Sequence, residues 1–250
     1  MVNRHTAKKI RKTHRYLGLF LGIQFIMWTV SGLYFSWTDI DEIHGDQFLN
    51  QTMIKTSFSN LISPAELQSN EDITSLELLN IADKPYYWLN NSKLFDAKTG
   101  DSKNGITQDE ALYIAKKRIR DDLEVSSIDI LTETGGHHEF RQRKDVGKLP
   151  AYVVSYSNDE ALKAYISVNN GQFQTVRHRD WRIFDFLWMT HTMDYEGRDD
   201  FNNWILRGFS VLGLITVLSG FTLWFTTSPT IRKIFKKKKK KNKKKNEKIS

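Results

Sequence analysis

The sequence contains no cysteine. Disulfides, thiolate metal sites and thiol catalysis are therefore excluded, and cysteine usage gives no redox compartment. No G-x-S-x-G, H-E-x-x-H or P-loop motif occurs, so the common signatures of serine hydrolases, zinc proteases and nucleotide-hydrolysing enzymes are missing. Charge is scarce in two places. Leu17 to Trp37 has no charged residue and one amide, Gln24; Trp204 to Phe225 has one charge, Arg207, near its start. Acid is scarce in two others: residues 1–15 carry six Lys/Arg and no acid, and residues 227–250 carry twelve Lys/Arg and one acid.

The mean hydropathy of −0.49 averages over this segregation and hides it. Twenty-one helical residues from Leu17 span about 31 Å, enough for a hydrocarbon core of about 30 Å. Trp204 to Phe225 reaches the same length. Arg207 can snorkel from its start, and Trp37, Trp204 and Trp224 lie at segment ends, as an aromatic belt requires. Basic flanks stay in the cytoplasm. The expected order is a basic cytoplasmic N-terminus (1–16), a transmembrane helix (17–37), an extracytoplasmic region (38–203), a second transmembrane helix (204–226) and a lysine-rich cytoplasmic tail (227–250). "FSWTDIDE" offers no small-residue cleavage site, so the first helix reads as an uncleaved signal anchor. These features place the protein in the cytoplasmic (inner) membrane as a multi-pass protein. The tail "KKKKKKNKKKNEK" has no aromatic residues on which bases could stack; it reads as a contact for anionic lipid, not nucleic acid.

Between the two apolar segments the chain reads as α+β. "TQDEALYIAKKRI" opens with Thr107 and Glu110 at capping-box spacing. It continues with Ala111, Ile114, Ala115 and Ile119 at helical spacing, which predicts a helix ending near Asp121. "SSIDILTE", "AYVVSYS" (151–157), "ALKAYISV" (161–168) and "QFQTVRH" read as strands, joined in part by "NDE" and "NNG" turns. A helix on an antiparallel meander follows. Residues 60–105 read as a degenerate copy of the same hairpin unit.

"ITQDEALYIAKKRI" and "LPAYVVSYSNDEALKAYISVNNGQFQTVRHRDW" together resemble a PepSY domain, with residues 107–178 the best-matching unit. Asn169-Asn170-Gly171 stands where that family carries an acidic-Thr-Gly turn, and Asp96 to Gly100 matches that turn in the earlier copy. The flanking helices resemble the PepSY-associated transmembrane family. His14 and Gly18 match its H-x-x-x-G, and Thr29, Ser31 and Gly32 its T-x-S-G. His191 matches its "lH", and Ser219, Gly220 and Trp224 its last-helix ending. The resemblance implies a membrane α+β protein whose two transmembrane helices flank an extracytoplasmic helix-plus-antiparallel-sheet domain. It implies a binding or regulatory module, since PepSY modules are thought to bind or inhibit peptidases. Larger, four-helix members resemble haem-carrying inner-membrane reductases of ferric siderophores, which makes a haem b electron-transfer component linked to iron uptake the alternative.

His14, Gly18, Gly22, Phe25, Thr29 and Gly32 follow steps of three and four, so they share one side of a helix. Gly18 and Gly22 form G-x-x-x-G, a surface that admits another backbone. Gly213, Thr216 and Gly220 do the same on the last helix. His14 is either an interface anchor or a haem ligand. "WRIFDFLWMTHTMDY" predicts an amphipathic interfacial helix over 181–195 carrying His191. His14 at the inner face and His191 at the outer face stand about one bilayer apart, so one iron cannot take both. His191 would take His44 in "DEIHGDQ", or its own copy in a homodimer, as the further ligand, and His14 would pair with His14 of a second subunit. Met189, His191 and Met193 form M-x-H-x-M, a pattern that suits soft copper but that membrane packing also explains. His137-His138-Glu139 reads as a polar loop tip. The acids Asp39, Asp41, Glu42, Asp199 and Asp200 read as solvated groups at the outer membrane edge. The expected partners are the lipid bilayer and another membrane or envelope protein.

Overall fold

The computed structural model describes residues 4–50, 56–67, 69, 71–134, 138–140, 148–198 and 200–230. The lysine-rich stretch 231–250, His137 and Asp199 lie outside them. The chain divides into two compact units, Met1–Tyr34 with Leu187–Ser250, and Phe35–Phe186.

The first unit is built on α1 (Arg4–Trp37) and α5 (Trp204–Thr227), with the end of α4 (Arg179–Thr192). α1 begins well before the apolar span at Leu17, because the basic residues ahead of it are also good helix formers. α1 and α5 run antiparallel: His14 lies beside Ser219, and Phe25 beside Gly213. Most of their apolar side chains face outward, among them Leu19, Ile23, Ile26, Leu214, Leu218 and Phe221. A soluble core helix would bury these, so they call for a lipid solvent.

Asn203 caps α5 by accepting from Leu206 N at 2.8 Å, and its own amide donates to the Thr192 carbonyl at 3.0 Å. α4 starts and ends earlier than the expected 181–195, because Met193 turns the chain at φ +53°. The loop that follows is tied to Asp194, which accepts backbone N–H groups from Glu196, Gly197 and Asp200.

The second unit holds α2 (Ile40–His44), α3 (Gln108–Arg118) and two four-stranded antiparallel meanders. One is β1 (Leu76–Ile81), β2 (Lys84–Leu89), β3 (Lys93–Asp96) and β4 (Ser102–Lys103). The other is β5 (Val125–Leu131), β6 (Ala151–Tyr156), β7 (Lys163–Ser167) and β8 (Phe173–Arg177). Both have their strands in sequence order. In each, the turn after the third strand closes with a glycine N–H donating four residues back: Gly100 to Asp96 O and Gly171 to Ser167 O, both at 2.9 Å. The degenerate copy read over 60–105 is thus a full meander over 76–103.

The period-two alternation of strands covers both faces of each sheet. Tyr86 and Trp88 of β2, Tyr152, Val154 and Tyr156 of β6, and Ala111, Ala115 and Ile119 of α3 share the main core. Tyr87, Leu89 and Phe95 pack on the reverse side with Leu61, Ile62 and Leu67. Phe140, Ala151 and Tyr165 form a third cluster, with the Phe140 and Tyr165 rings stacked at 4.6 Å.

The expected Asn-Gly hairpin differs in detail. Of residues 169–171 only Gly171 takes a positive φ, +69°. A Cβ there would come within 3.2–3.3 Å of Ile114, Ile106 and Ile81, so its bareness lets the turn sit on the core.

Candidate functional site

Two cross-helix pairs organise the first unit. His14 Nδ1 lies 2.8 Å from Ser219 Oγ and 3.1 Å from the Thr216 carbonyl. A carbonyl can only accept, so Nδ1 carries the proton and donates. The Ser219 hydroxyl spends its own proton on Thr216 O at 2.7 Å. At the other end of α1, His191 Nδ1 lies 2.7 Å from Ser31 Oγ, whose proton goes to Met27 O at 2.6 Å. His191 and Ser31 are thus hydrogen-bonded across α4 and α1. In its neutral form the His14 ring carries the lone pair on Nε2.

Trp28 donates to His191 O at 2.8 Å and Gln24 to Thr190 O at 2.9 Å, which locks α4 against α1. Gln24, the one amide in the apolar segment, is thus a clasp between helices.

The expected face of α1 packs in part: His14 and Phe25 meet α5, while its glycines do not and the covered side shifts toward Leu21 and Ser31. Leu21 and Ser31 are fully buried while Thr29 is exposed. A Cβ at Gly18, Gly22 or Gly32 would meet nothing within 4 Å. Gly213 and Gly220 do pack, against Phe25 and His14, each with a Cβ-to-neighbour distance of 3.2 Å. The reason is polar: the histidine–serine bonds and the Gln24 and Trp28 donors choose the side of α1 that must be covered in lipid.

His14 and Ser31, the latter touching His191, are separated by roughly 26 Å of helix at 1.5 Å per residue. Each ring has its Nδ1 held by a hydrogen bond, as metal-ligating histidines usually have at one nitrogen. The separation fits two haem positions and not one. His44, exposed at the end of α2, belongs to the other unit. Met189 and His191 are two residues apart on α4 and point to nearly opposite sides, so M-x-H-x-M does not converge as a helix-borne copper site.

In the second unit, Glu139 is no solvated loop tip. It accepts from Arg182 Nε at 2.6 Å and the Tyr165 hydroxyl at 2.8 Å, and pairs with Lys163 at 2.9 Å. Burial alone would raise its pKa, but these donors outweigh it and hold the carboxyl at about 2. Nothing in the sequence signalled this, since the three donors come from β7 and α4. Asp39 caps α2, accepting from Asp41 N at 2.9 Å.

Two lipid-facing apolar helices joined by polar clasps, with an α+β unit of two meanders, define a membrane protein. A family model of the PepSY-associated TM region matches residues 11–248, and the chain belongs to that family. Neither the comparison with curated proteins nor the comparison with solved structures finds a match.

Proposed function

We propose that the protein is a two-pass cytoplasmic-membrane protein with both termini inside. Its PepSY-type unit stands outside as a binding or regulatory module for another membrane or envelope protein. The lysine and arginine bias of the two ends supports this orientation. The observation that carries the binding reading is the edge strand of the first sheet, β1, which pairs with β2 alone among the described residues. Leu61, Ile62 and Leu67 cover its reverse face over β2 and β3. Over the edge strand β1, Leu76 and Leu78 on that same face remain 39% and 46% exposed, beside exposed Ile73. An apolar edge strand is a template for an added strand from a partner.

A photoreactive residue at position 73, irradiated in intact cells, is expected to give a discrete adduct. The adduct should vanish in a Leu76→Lys/Leu78→Lys chain. Persistence of the same adduct in that variant overturns the edge-strand reading. A reporter fused after Ser250 is expected to work only in the cytoplasm.

A second reading is favoured by the hydrogen bonds that hold Nδ1 of His14 and of His191: a haem b electron-transfer component, with the two histidines as ligands and a second subunit supplying the further ones. Haem would contribute one-electron transfer; the chain's own part is to fix ring orientation through Ser219 and Ser31. Membranes rich in the chain show a Soret band under this reading, reduced by His14→Ala and by His191→Ala. They are colourless under the first.

A further inference from the structure

We propose that Glu160, His178 and Asp180 form a binding site for a divalent first-row transition metal ion. One ligand atom from each lies within 4.8 Å of the others. All three belong to the second unit, and the site rests on neither reading of function above.

The β7–β8 ladder, with Lys163 opposite Arg177, creates the juxtaposition. It sets the turn before β7, which carries Glu160, beside the residues that follow β8, His178 and Asp180. His178 is 1% exposed. Its Nε2 lies 3.1 Å from the Ile43 carbonyl, which can only accept, so Nε2 holds the proton and the neutral ring's lone pair is on Nδ1. That Nδ1 is sealed from solvent and has no hydrogen-bond partner. Glu160 Oε2 is likewise sealed and unpartnered. Two buried acceptors left without a donor are costly, and a cation held by this cluster would satisfy both.

The surroundings hold the ring for this task. Gly45, at φ +91°, packs under the ring: a Cβ there would touch His178 Cδ2 at 3.7 Å but would clash with Val176 Cγ2 at 2.3 Å, so Val176 and the backbone require glycine. The Phe48 ring meets the imidazole edge-on at 5.1 Å. Donation from the far nitrogen to a backbone carbonyl is the usual outer support of a metal-binding histidine. Arg179 pairs with the other Glu160 oxygen, Oε1, at 3.0 Å and with Asp180 Oδ1 at 3.5 Å. It thereby leaves Glu160 Oε2 for the ion, while its charge weakens the site's net pull on a cation.

One imidazole and two carboxylates, with remaining positions for water, suit manganese, iron(II), cobalt or zinc. A calcium site would need more oxygens.

The test uses the untagged full-length chain in detergent, stripped with a chelator and titrated with Co2+ and then Zn2+. One equivalent of Co2+ is expected to develop a ligand-field absorption band, and Zn2+ to raise the melting temperature, since an ion that binds only the folded state stabilises it. Glu160→Gln and Asp180→Asn should each weaken Co2+ binding at least tenfold while melting like the parent in chelator. The two substitutions sit on a turn and at a helix start, so folding should survive where His178→Ala risks the core. Absence of a band at saturating Co2+ overturns the proposal, pointing to a proton shared by Glu160 and His178. So does one-equivalent binding that persists in the Glu160→Gln/Asp180→Asn double variant.

Discussion

His191 Nδ1 and Ser31 Oγ are hydrogen-bonded across 2.7 Å, joining α4 to α1. His14 and Ser219 repeat the arrangement between α1 and α5. The four residues come from separate motifs in the sequence, yet they work as two pairs. The pairs are not equally robust. His14 has a second acceptor, the Thr216 carbonyl. Ser31→Ala is therefore expected to cost about 1–2 kcal/mol and Ser219→Ala less. Thermal unfolding of the two variants in detergent measures the difference, and equal losses would show that Thr216 does not substitute.

Glycines on the two helices should respond in opposite ways. Gly213→Leu and Gly220→Leu drive a side chain into Phe25 or His14, and overpacking of this kind costs about 1–3 kcal/mol. Gly18→Leu has open space around it and should leave the melting temperature of the monomer unchanged. If Gly18→Leu instead abolishes chemical cross-linking between subunits, the Gly18/Gly22 face is a dimer contact.

Glu139 sets an acid limit on the second unit. Its folded pKa of about 2 lies below the ordinary value of 4.5. The stability it contributes is then complete above about pH 4.5 and fades as the pH falls toward 2. Glu139→Gln is expected to lose about 2–3 kcal/mol near neutrality. In urea unfolding followed by tryptophan fluorescence, the gap between parent and variant should close between pH 4.5 and 2. A gap that stays constant over that range argues against the pairing.

The start of α3 offers a local test. Thr107 accepts from Glu110 N at 3.2 Å, Thr107 N donates to Glu110 Oε2 at 2.8 Å, and Lys103 of β4 reaches Glu110 Oε1 at 2.5 Å. Thr107→Ala removes one cap bond, for about 1 kcal/mol. Glu110→Ala removes the return bond and the tie to β4, so its chemical-denaturation midpoint should fall further.

Local signals made much of the fold legible. Thr107 and Glu110 announced α3, and alternation announced β5 to β8. Two charge-poor stretches announced α1 and α5. The β1–β2 hairpin was less visible, because its two-residue turn is Ala82-Asp83, at φ +50° and +62°, where glycine or asparagine is the usual sign. Asp83 is held there by Lys117 and Tyr113 of α3, a tertiary support that no short window contains. The candidate sites split along the same line. His14 and His191 stood out by position in the membrane pattern, while their partners depended on helix rotation. His178 gave no signal, since Glu160 reaches it only through the register of two strands.

Ser219 is synthesised 205 residues after the histidine it holds. At roughly 5–20 residues per second, about 10–40 s of translation separate the two. α1 therefore exists for that interval without α5, and His14 gains its acceptors only once α5 has been made. The intervening meanders have that interval in which to fold, and the helix pair can close only after the ribosome has reached α5.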